Sequence, residues 1–535
     1  MKRHWALAAL LALIAPLLVA FAWQEGLASL GDDSASYLVL AQAIAGNNPA
    51  ILPWVGYHTH FPPLFPLLLA LTGGSGDFRI AHAVVALLAA AAAALIYRFV
   101  LKATGRRDAA LAVVVVFMLC PTAWISAKGI LSEPMYLCAS LACLVWFQGR
   151  LDEGRGSARQ WAIFGAILAA TILSRVVGAT LVAALLLHAG TRALSTRTRP
   201  PLVALGLALL PTLLLVGLWL ALKPIATQDS YQRVSTAMVH SWFTVGALMA
   251  QVSVTSVFEG WVASFTADAA VGTVARVIAA ACALLALAGM ALRLSRNRLD
   301  AWYVAITLAV VLGWVFSEDN TRRLLYPVLP LMLFHAGVAV AWLLARLRRE
   351  QHTPLALGVV ALVLAFATVP ALLLAASKAF DRQPVVAAYP TTYADITEYY
   401  STVNVMRSRA LAGRHATVLD GLGALERVTP AGSRIMWMRP EYLALLGRRD
   451  GVAWYYAWDE KRIAREARDS RVDYLVVARL YKTDLLGRTG DPFATLRQVS
   501  AYSRPVLTLS NPLGGVEFVL MRIDRKALEA FAAGA

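Results

Sequence analysis

Apolar stretches of membrane length recur along this chain, with arginine and lysine gathered at alternate ends of them, and that alternation constrains the fold more than any other feature. A helix needs about 20 apolar residues to cross a bilayer core. Ten stretches qualify, near residues 5–24, 78–100, 108–127, 131–149, 161–190, 201–223, 271–292, 301–316, 324–345 and 355–376. The basic clusters are Lys2 and Arg3; Arg98, Lys102, Arg106 and Arg107; Arg150, Arg155 and Arg159; Arg192, Arg197 and Arg199; Arg293, Arg296 and Arg298; Arg346, Arg348 and Arg349. They hold 18 of the 26 basic residues before residue 377. With 59% hydrophobic and 15% charged residues, the chain lies outside the range of soluble domains, where about a quarter of residues are charged. A formal charge of +17 would suggest nucleic acid in a soluble protein. Here it marks loops kept on the cytoplasmic side, and no nucleic-acid partner is implied.

Charge also fixes how the chain threads the membrane. A single helix over residues 161–190 would be about 45 Å long, too long for a hydrocarbon core of about 30 Å. Its middle reads LSRVVG, with Arg175 where one span would meet the bilayer centre. One span there would turn the nine arginines of the last three clusters outward. A helical hairpin turning near Arg175 keeps every cluster inside. The expectation is therefore about eleven spans, with the N-terminus cytoplasmic and the C-terminus outside. The same test makes PPLFPLLLALTGG (62–74) an interfacial or re-entrant segment. Residues 5–22 could be a signal peptide ending at Ala20-Phe21-Ala22, but the run exceeds a usual signal core and a retained anchor is expected. Cleavage would leave the remaining topology unchanged. The four cysteines lie inside apolar segments and read as small hydrophobes.

From Ser377 the texture changes. Residues 377–535 carry 23 basic and 17 acidic residues and no membrane-length apolar run. Strand-like RIMWM from Arg434, VDYLVVA from Val472 and VEFVLM from Val516 alternate with helical stretches such as the one from Asp459. The expected organisation is a polytopic α-helical membrane domain over 1–376, with a first outer loop at 25–77, followed by an extracytoplasmic (periplasmic) α/β domain over 377–535.

The first outer loop draws attention because it is acidic. No Lys or Arg occurs between Gly26 and Asp77, yet Asp32 and Asp33 stand side by side. Asp33 is a candidate general base and equally a candidate N-cap for a helix starting near Ala35. Asp32 is a neighbour that tunes the site, or the base itself. Glu133, beside Pro134, is a candidate site carboxylate or one that stabilises a helix N-terminus. Lys128, Arg175, Arg322 and Arg323 are among the few cations expected outside. Arg175 demands a partner or a function, since a lipid-facing charge is costly, whereas Arg322 and Arg323 also read as interfacial anchors. His58 and His60 form an H-x-H pair, weak evidence for a metal without a nearby cysteine. Tyr37 and Tyr57 read first as interfacial packing. The loop 223–268 carries Phe258, Trp261 and Phe265 on one helical face, suited to a prenyl chain or to an aromatic belt.

In order, these features resemble the GT-C glycosyltransferases, in particular bacterial relatives of the protein O-mannosyltransferases and the lipid A aminoarabinose transferases. In that group an Asp after the first span, a variable triplet and a Tyr lead into an amphipathic helix ending in Gly or Asn. Asp33-Ser34-Ala35-Ser36-Tyr37 followed by LVLAQAIAGNN fits that spacing. His60-Phe61-Pro62-Pro63-Leu64-Phe65-Pro66 resembles the Pro-rich entry to the next segment. Leu131-Ser132-Glu133-Pro134 resembles the acidic start of the fourth span, Ser174-Arg175 the hairpin turn, and Arg322-Arg323 through Pro330 the entry to a late span. Many relatives carry Asp-Glu where this chain has Asp33-Ser34. The resemblance covers residues 1–376 and implies sugar transfer from a polyprenyl-phosphate donor to a lipid, protein or polysaccharide hydroxyl of the cell envelope. It also implies a bacterial inner membrane.

The chemistry is consistent with that implication. Outside the membrane no nucleotide-sugar pool exists, so the donor must be carried by membrane lipid. Asp33, Asp32 or Glu133 would take the acceptor proton in an inverting single displacement. The phosphate leaving group needs cations rather than an acid, and Arg suits bidentate phosphate binding. Tyr37, Lys128, Arg175, Arg322, Arg323 and His60 are the substrate-binding candidates. No cofactor is required, and a divalent metal is left open. A lipid-linked glycan flippase or a non-enzymatic scaffold are the alternatives. A flippase would place charges at mid-membrane in several helices, where Arg175 stands nearly alone. A scaffold's outer acids and arginines would tolerate substitution.

Overall fold

The computed structural model describes residues 5–27, 33–46, 61–149, 151–153, 156–196, 202–222, 230–267, 272–314, 318–385, 391–400, 405–454, 458–478 and 492–533. Asp32, Tyr57, His58 and His60 lie outside the described residues. Helices before residue 380 are α1 (Trp5–Ala22), α2 (Ser34–Ala45), α3 (Leu64–Thr72), α4 (Phe78–Thr104), α5 (Arg107–Leu119), α6 (Pro121–Lys128), α7 (Glu133–Phe147), α8 (Ala158–Ser174), α9 (Ala179–Thr196), α10 (Leu202–Leu222), α11 (Ser230–Thr266), α12 (Thr273–Leu294), α13 (Leu299–Gly313), α14 (Glu318–Leu325), α15 (Leu329–Arg346) and α16 (Thr353–Ala379). The protein is a multi-pass membrane protein: eight described helical segments are long and apolar enough to cross a bilayer, nine if the bent pair α5–α6 counts as one span. The apolar helices α7, α8 and α13 are shorter, at 15, 17 and 15 residues. One stretch departs from expectation. Within 223–268, read as an outer loop, His240–Thr266 is one long helical stretch of membrane-crossing length, interrupted at Val245, with Trp242 and Ser253 donating to the Gly313 and Leu312 carbonyls at the C-terminal end of α13.

Two compact units divide the chain. The first comprises Met1–Trp23, Thr59–Leu68 and Arg79–Ser377; the second comprises Gln24–His58, Leu69–Phe78 and Lys378–Ala535. The second unit thus takes in much of the first outer loop together with the C-terminal segment.

Local sequence explains the breaks that matter in the first unit. Cys120 has extended ψ at 125°, and Pro121, which lacks an N–H, opens α6. The helix axis turns by 63° there. That turn brings the short α6 to its end at Lys128. The long apolar run 161–190 is a helical hairpin: α8 ends at Ser174, Arg175 is extended, and a single 3-10 turn over Val176–Gly178 leads into α9. At its other end α8 starts with a capping box, Ser157 Oγ accepting from Gln160 N at 3.3 Å and Gln160 Oε1 accepting from Ser157 N at 3.0 Å. Helices pack through small residues, as expected where lipid supplies no hydrophobic drive between them. A Cβ built on Gly165 of α8 would lie 2.1 Å from the Ala208 carbonyl oxygen of α10. Thr212 of α10 donates to the Gly165 carbonyl at 2.9 Å across the same contact.

In the second unit, further helices are α17 (Thr397–Tyr400), α18 (Val405–Val428), α19 (Pro440–Leu445), α20 (Glu460–Asp469), α21 (Pro492–Val499) and α22 (Arg525–Ala533). The strands are β1 (Arg434–Trp437), β2 (Asp450–Ala453), β3 (Tyr474–Ala478), β4 (Ser503–Ser510) and β5 (Val516–Ile523), in spatial order β2-β1-β3-β5-β4. β1 pairs in parallel with β2 and β3, while β5 runs antiparallel to β3 and β4. The three strand-like stretches of the sequence are β1, β3 and β5, and all five residues of β3 are buried, as its continuous apolar run requires. Asp459 caps α20 by accepting from Arg462 N at 2.7 Å. From the outer loop, α2 ends at Gly46 with φ +70°, a left-handed cap that costs glycine little. Gln42 of α2 donates to the Ser75 carbonyl at 3.0 Å.

The Gly165 contact is testable by thermal unfolding in detergent. Gly165→Ala should destabilise by about 1–3 kcal/mol, because a backbone carbonyl cannot step aside. Gly206→Ala, with no heavy atom within 4 Å of the added methyl, should be neutral or slightly stabilising. Equal melting of the two variants would refute the close-packing account.

Candidate functional site

In the first unit, three of the candidates come together through helix ends. Glu133 occupies the first turn of α7, before Pro134, where unpaired backbone N–H groups favour a carboxylate. Its side chain is 1% exposed, and its Oε1 is 2.9 Å from Arg175 Nη1 and 2.7 Å from Arg323 Nε. Arg175, in the hairpin turn between α8 and α9, also reaches Ser132 Oγ at 3.4 Å. Arg323 comes from the last turn of α14. The two arginine side chains are 17% and 21% exposed. Two cations thus share one carboxylate in a largely dry setting. Burial also makes the arrangement interdependent: an ion pair out of water is stable only while its partners remain.

Arg322 points elsewhere. It is 7% exposed and donates from Nη1 to the Ala267 carbonyl at 2.7 Å, just past the end of α11. Neighbouring contacts, Ser256 with Thr321 at 3.0 Å and Gly260 against Thr321, join α11 to α14 there. The two adjacent arginines thus divide their work, Arg323 on the carboxylate and Arg322 fixing the helix that carries it. Lys128 is fully buried at the end of α6, its ammonium 5.4 Å from the Phe21 ring centroid of α1. Its carbonyl accepts from His82 Nδ1 at 2.6 Å. His82, wholly buried in the first turns of α4, is a positioning residue the sequence did not announce.

In the second unit, Asp33 stands at the N-cap position of α2, but its side chain makes no capping hydrogen bond. The N-cap account of this aspartate therefore lacks its defining contact. Tyr37, one turn on, is 2% exposed, and its backbone N–H donates to the Asp33 carbonyl at 3.0 Å. α2 packs against α19. There Glu441 is buried, and desolvation raises its carboxyl above the ordinary range; Arg439 opposes the rise and the charge of Asp33 adds to it. Glu441 went unremarked in the sequence. The only signal was a lone acid in the apolar run MWMRPEYLALL. Among the described residues, no three metal-ligating side chains converge.

The chain is similar to several solved structures. ArnT from Cupriavidus metallidurans, bound to undecaprenyl phosphate, matches with TM-score 0.53 and 14% identity, covering 97% of this chain and 98% of that one. The same protein in its apo state gives the same values. An Archaeoglobus fulgidus oligosaccharyltransferase, in complex with Zn and sulfate, matches with TM-score 0.50 and 14% identity over 96% of this chain and 72% of that one. No protein-family model and no curated protein sequence matches. The chain has the fold of the GT-C glycosyltransferases, polytopic in the membrane with a C-terminal sheet-containing domain.

Two measurements probe these clusters. A double-mutant cycle on Glu133→Ala and Arg323→Ala, read by thermal unfolding, should give a coupling of about 1–3 kcal/mol; additive effects would dissolve the cluster as a unit. For Glu441, a raised folded pKa means the folded state holds the proton more tightly. Its stabilising contribution is present below the ordinary value of 4.5 and is lost as pH rises through the folded pKa. Glu441→Gln should melt with wild type at pH 4 and above it at pH 8. An identical gap at both pH values would contradict the burial effect.

Proposed function

We propose that the protein is a glycosyltransferase of the outer membrane face, moving a sugar from a polyprenyl-phosphate donor to a hydroxyl acceptor of the cell envelope with inversion. The observation that carries this reading is the pair of guanidiniums, Arg175 and Arg323, held on one buried carboxylate at the ends of membrane helices. A guanidinium is planar with five donors, so one edge can grip Glu133 while another meets a phosphate. The fold supports the same reading, as does the undecaprenyl phosphate bound to ArnT, a protein of matching length.

The roles follow from chemistry. Asp33 takes the acceptor hydroxyl's proton as the oxygen attacks the anomeric carbon, and the C–O bond to the donor phosphate breaks with its electron pair leaving on the phosphate. That phosphate departs as an anion and needs cations, supplied by Arg175 and Arg323 with Lys128 as a point charge. Glu133 is a positioning residue: a carboxylate already accepting from two guanidiniums is a poor base, but it sets both arginines before substrate arrives. Asp32 is the neighbour that tunes Asp33, and His60 and Tyr37 complete the substrate-side set. The membrane is the bacterial inner membrane, with the N-terminus cytoplasmic and residues 377–535 periplasmic.

The test is transfer from radiolabelled polyprenyl-phosphate sugars in membranes, at matched expression. Asp33→Asn should lower turnover by about 10²–10⁴-fold with donor binding retained. Arg323→Ala should weaken donor binding first. Full transfer by Asp33→Asn would remove it as the base, and no transfer by wild type from any donor would remove the reading.

A further inference from the structure

At the other end of the same helices lies a second polar site, remote from the Glu133 cluster. α7 starts at Glu133 and ends at Phe147, about 21 Å away at 1.5 Å per residue. α4 runs alongside in the same sense: His82 near its start meets Lys128, while Lys102 near its end donates to the carbonyls of Val145 and Gln148 at 2.8 and 3.1 Å. Between these helix ends and the α12–α13 turn is a cavity of about 430 Å³. Four cations line it, Lys102, Arg293, Arg296 and Arg298, against three acids, Asp152, Glu153 and Asp300.

The pairing within the wall determines which charges face a guest. Arg293 is bidentate on buried Asp300, with both bonds at 2.6 Å, and His335 Nε2 donates to the same carboxylate at 2.9 Å. The Arg293 guanidinium also lies 4.8 Å from the Phe334 ring centroid. It is therefore held on two sides before any ligand arrives. Arg298 pairs with Asp152 at 2.8 Å. Lys102 spends two of its three N–H donors on carbonyls, which do not neutralise it. Arg296 forms no ion pair among the described residues. Once the two arginine–aspartate pairs are discounted, Lys102 and Arg296 stand against Glu153, and the wall is positive and rich in fixed donors.

We infer that this pocket binds a phosphate-bearing ligand at the membrane face opposite the Glu133 cluster. Its volume suits a headgroup or a small phosphate ester. Arg296 is the recruiting charge, Lys102 the point charge at the helix end, and Arg293 the oriented donor. On the far side of the last turns of α4, Phe334 also borders an apolar groove between α5, α15 and α16, so a lipid is one source of the phosphate and a soluble ester is the other. This inference is independent of the transfer reaction.

The test uses the purified full-length protein and two phosphate monoesters, glycerol 3-phosphate and dioctanoyl phosphatidic acid, with dioctanoylglycerol as the uncharged control. Wild type should bind at least the phosphatidic acid. Arg296→Ala should weaken that binding about tenfold, the worth of one charge-assisted contact, with Arg296→Lys recovering part of it. Arg296 is exposed, and unchanged melting of both variants would exclude misfolding. Binding of both esters identifies the phosphate alone as the determinant; binding of the lipid only assigns the ligand to the membrane. Failure of wild type to bind either ester, equal binding by Arg296→Ala, or equal binding of dioctanoylglycerol would each overturn the inference.

Discussion

Burial of the Glu133 carboxylate is the constraint on which one end of the helical bundle depends. An ionised carboxylate with a side chain 1% exposed is tolerable only with cations and dipoles around it. The start of α7 supplies the dipole, the hairpin turn between α8 and α9 supplies Arg175, and the end of α14 supplies Arg323. Three distant pieces of chain are thereby tied at one point. Arg322 extends the tie to α11 through the Ala267 carbonyl. A helix break at Arg175 is unusual inside an apolar run, and this cluster is what repays it: the extended residue between α8 and α9 lets the guanidinium turn back onto Glu133.

The two ends of the bundle use the same residue types to different effect. At the Glu133 end, two guanidiniums share one carboxylate. At the opposite end, Arg293 with Asp300 and Arg298 with Asp152 are matched pairs, and the surplus lies in Lys102 and Arg296. Matched pairs of this kind hold loops together; a shared carboxylate ties two arginines from different helix ends to one point. The second unit adds a different arrangement, in which Asp33 of α2 and Glu441 of α19 lie close enough for one charge to raise the other's pKa.

Much of the fold was legible in the sequence because membrane architecture is written in local terms. Apolar length, basic flanks and the cost of Arg175 at mid-bilayer were enough to recognise the spans and the hairpin, and β-rich stretches marked three of the five strands. The helix over His240–Thr266 escaped because its polar and aromatic residues dilute the apolar run. Lys128, Glu133, Arg175 and Arg323 were legible as unusual charges, but not as partners or neighbours. By itself, then, the sequence determined a polytopic helical chain with a C-terminal α/β segment and a short set of costly charges, since hydrophobic length and charge penalties act residue by residue. Only the tertiary structure decided that Glu133 meets Arg323 across 190 positions, that Arg322 turns away to a carbonyl, and that Glu441 joins Asp33. Those pairings depend on which helix ends converge in space, and no local periodicity encodes that.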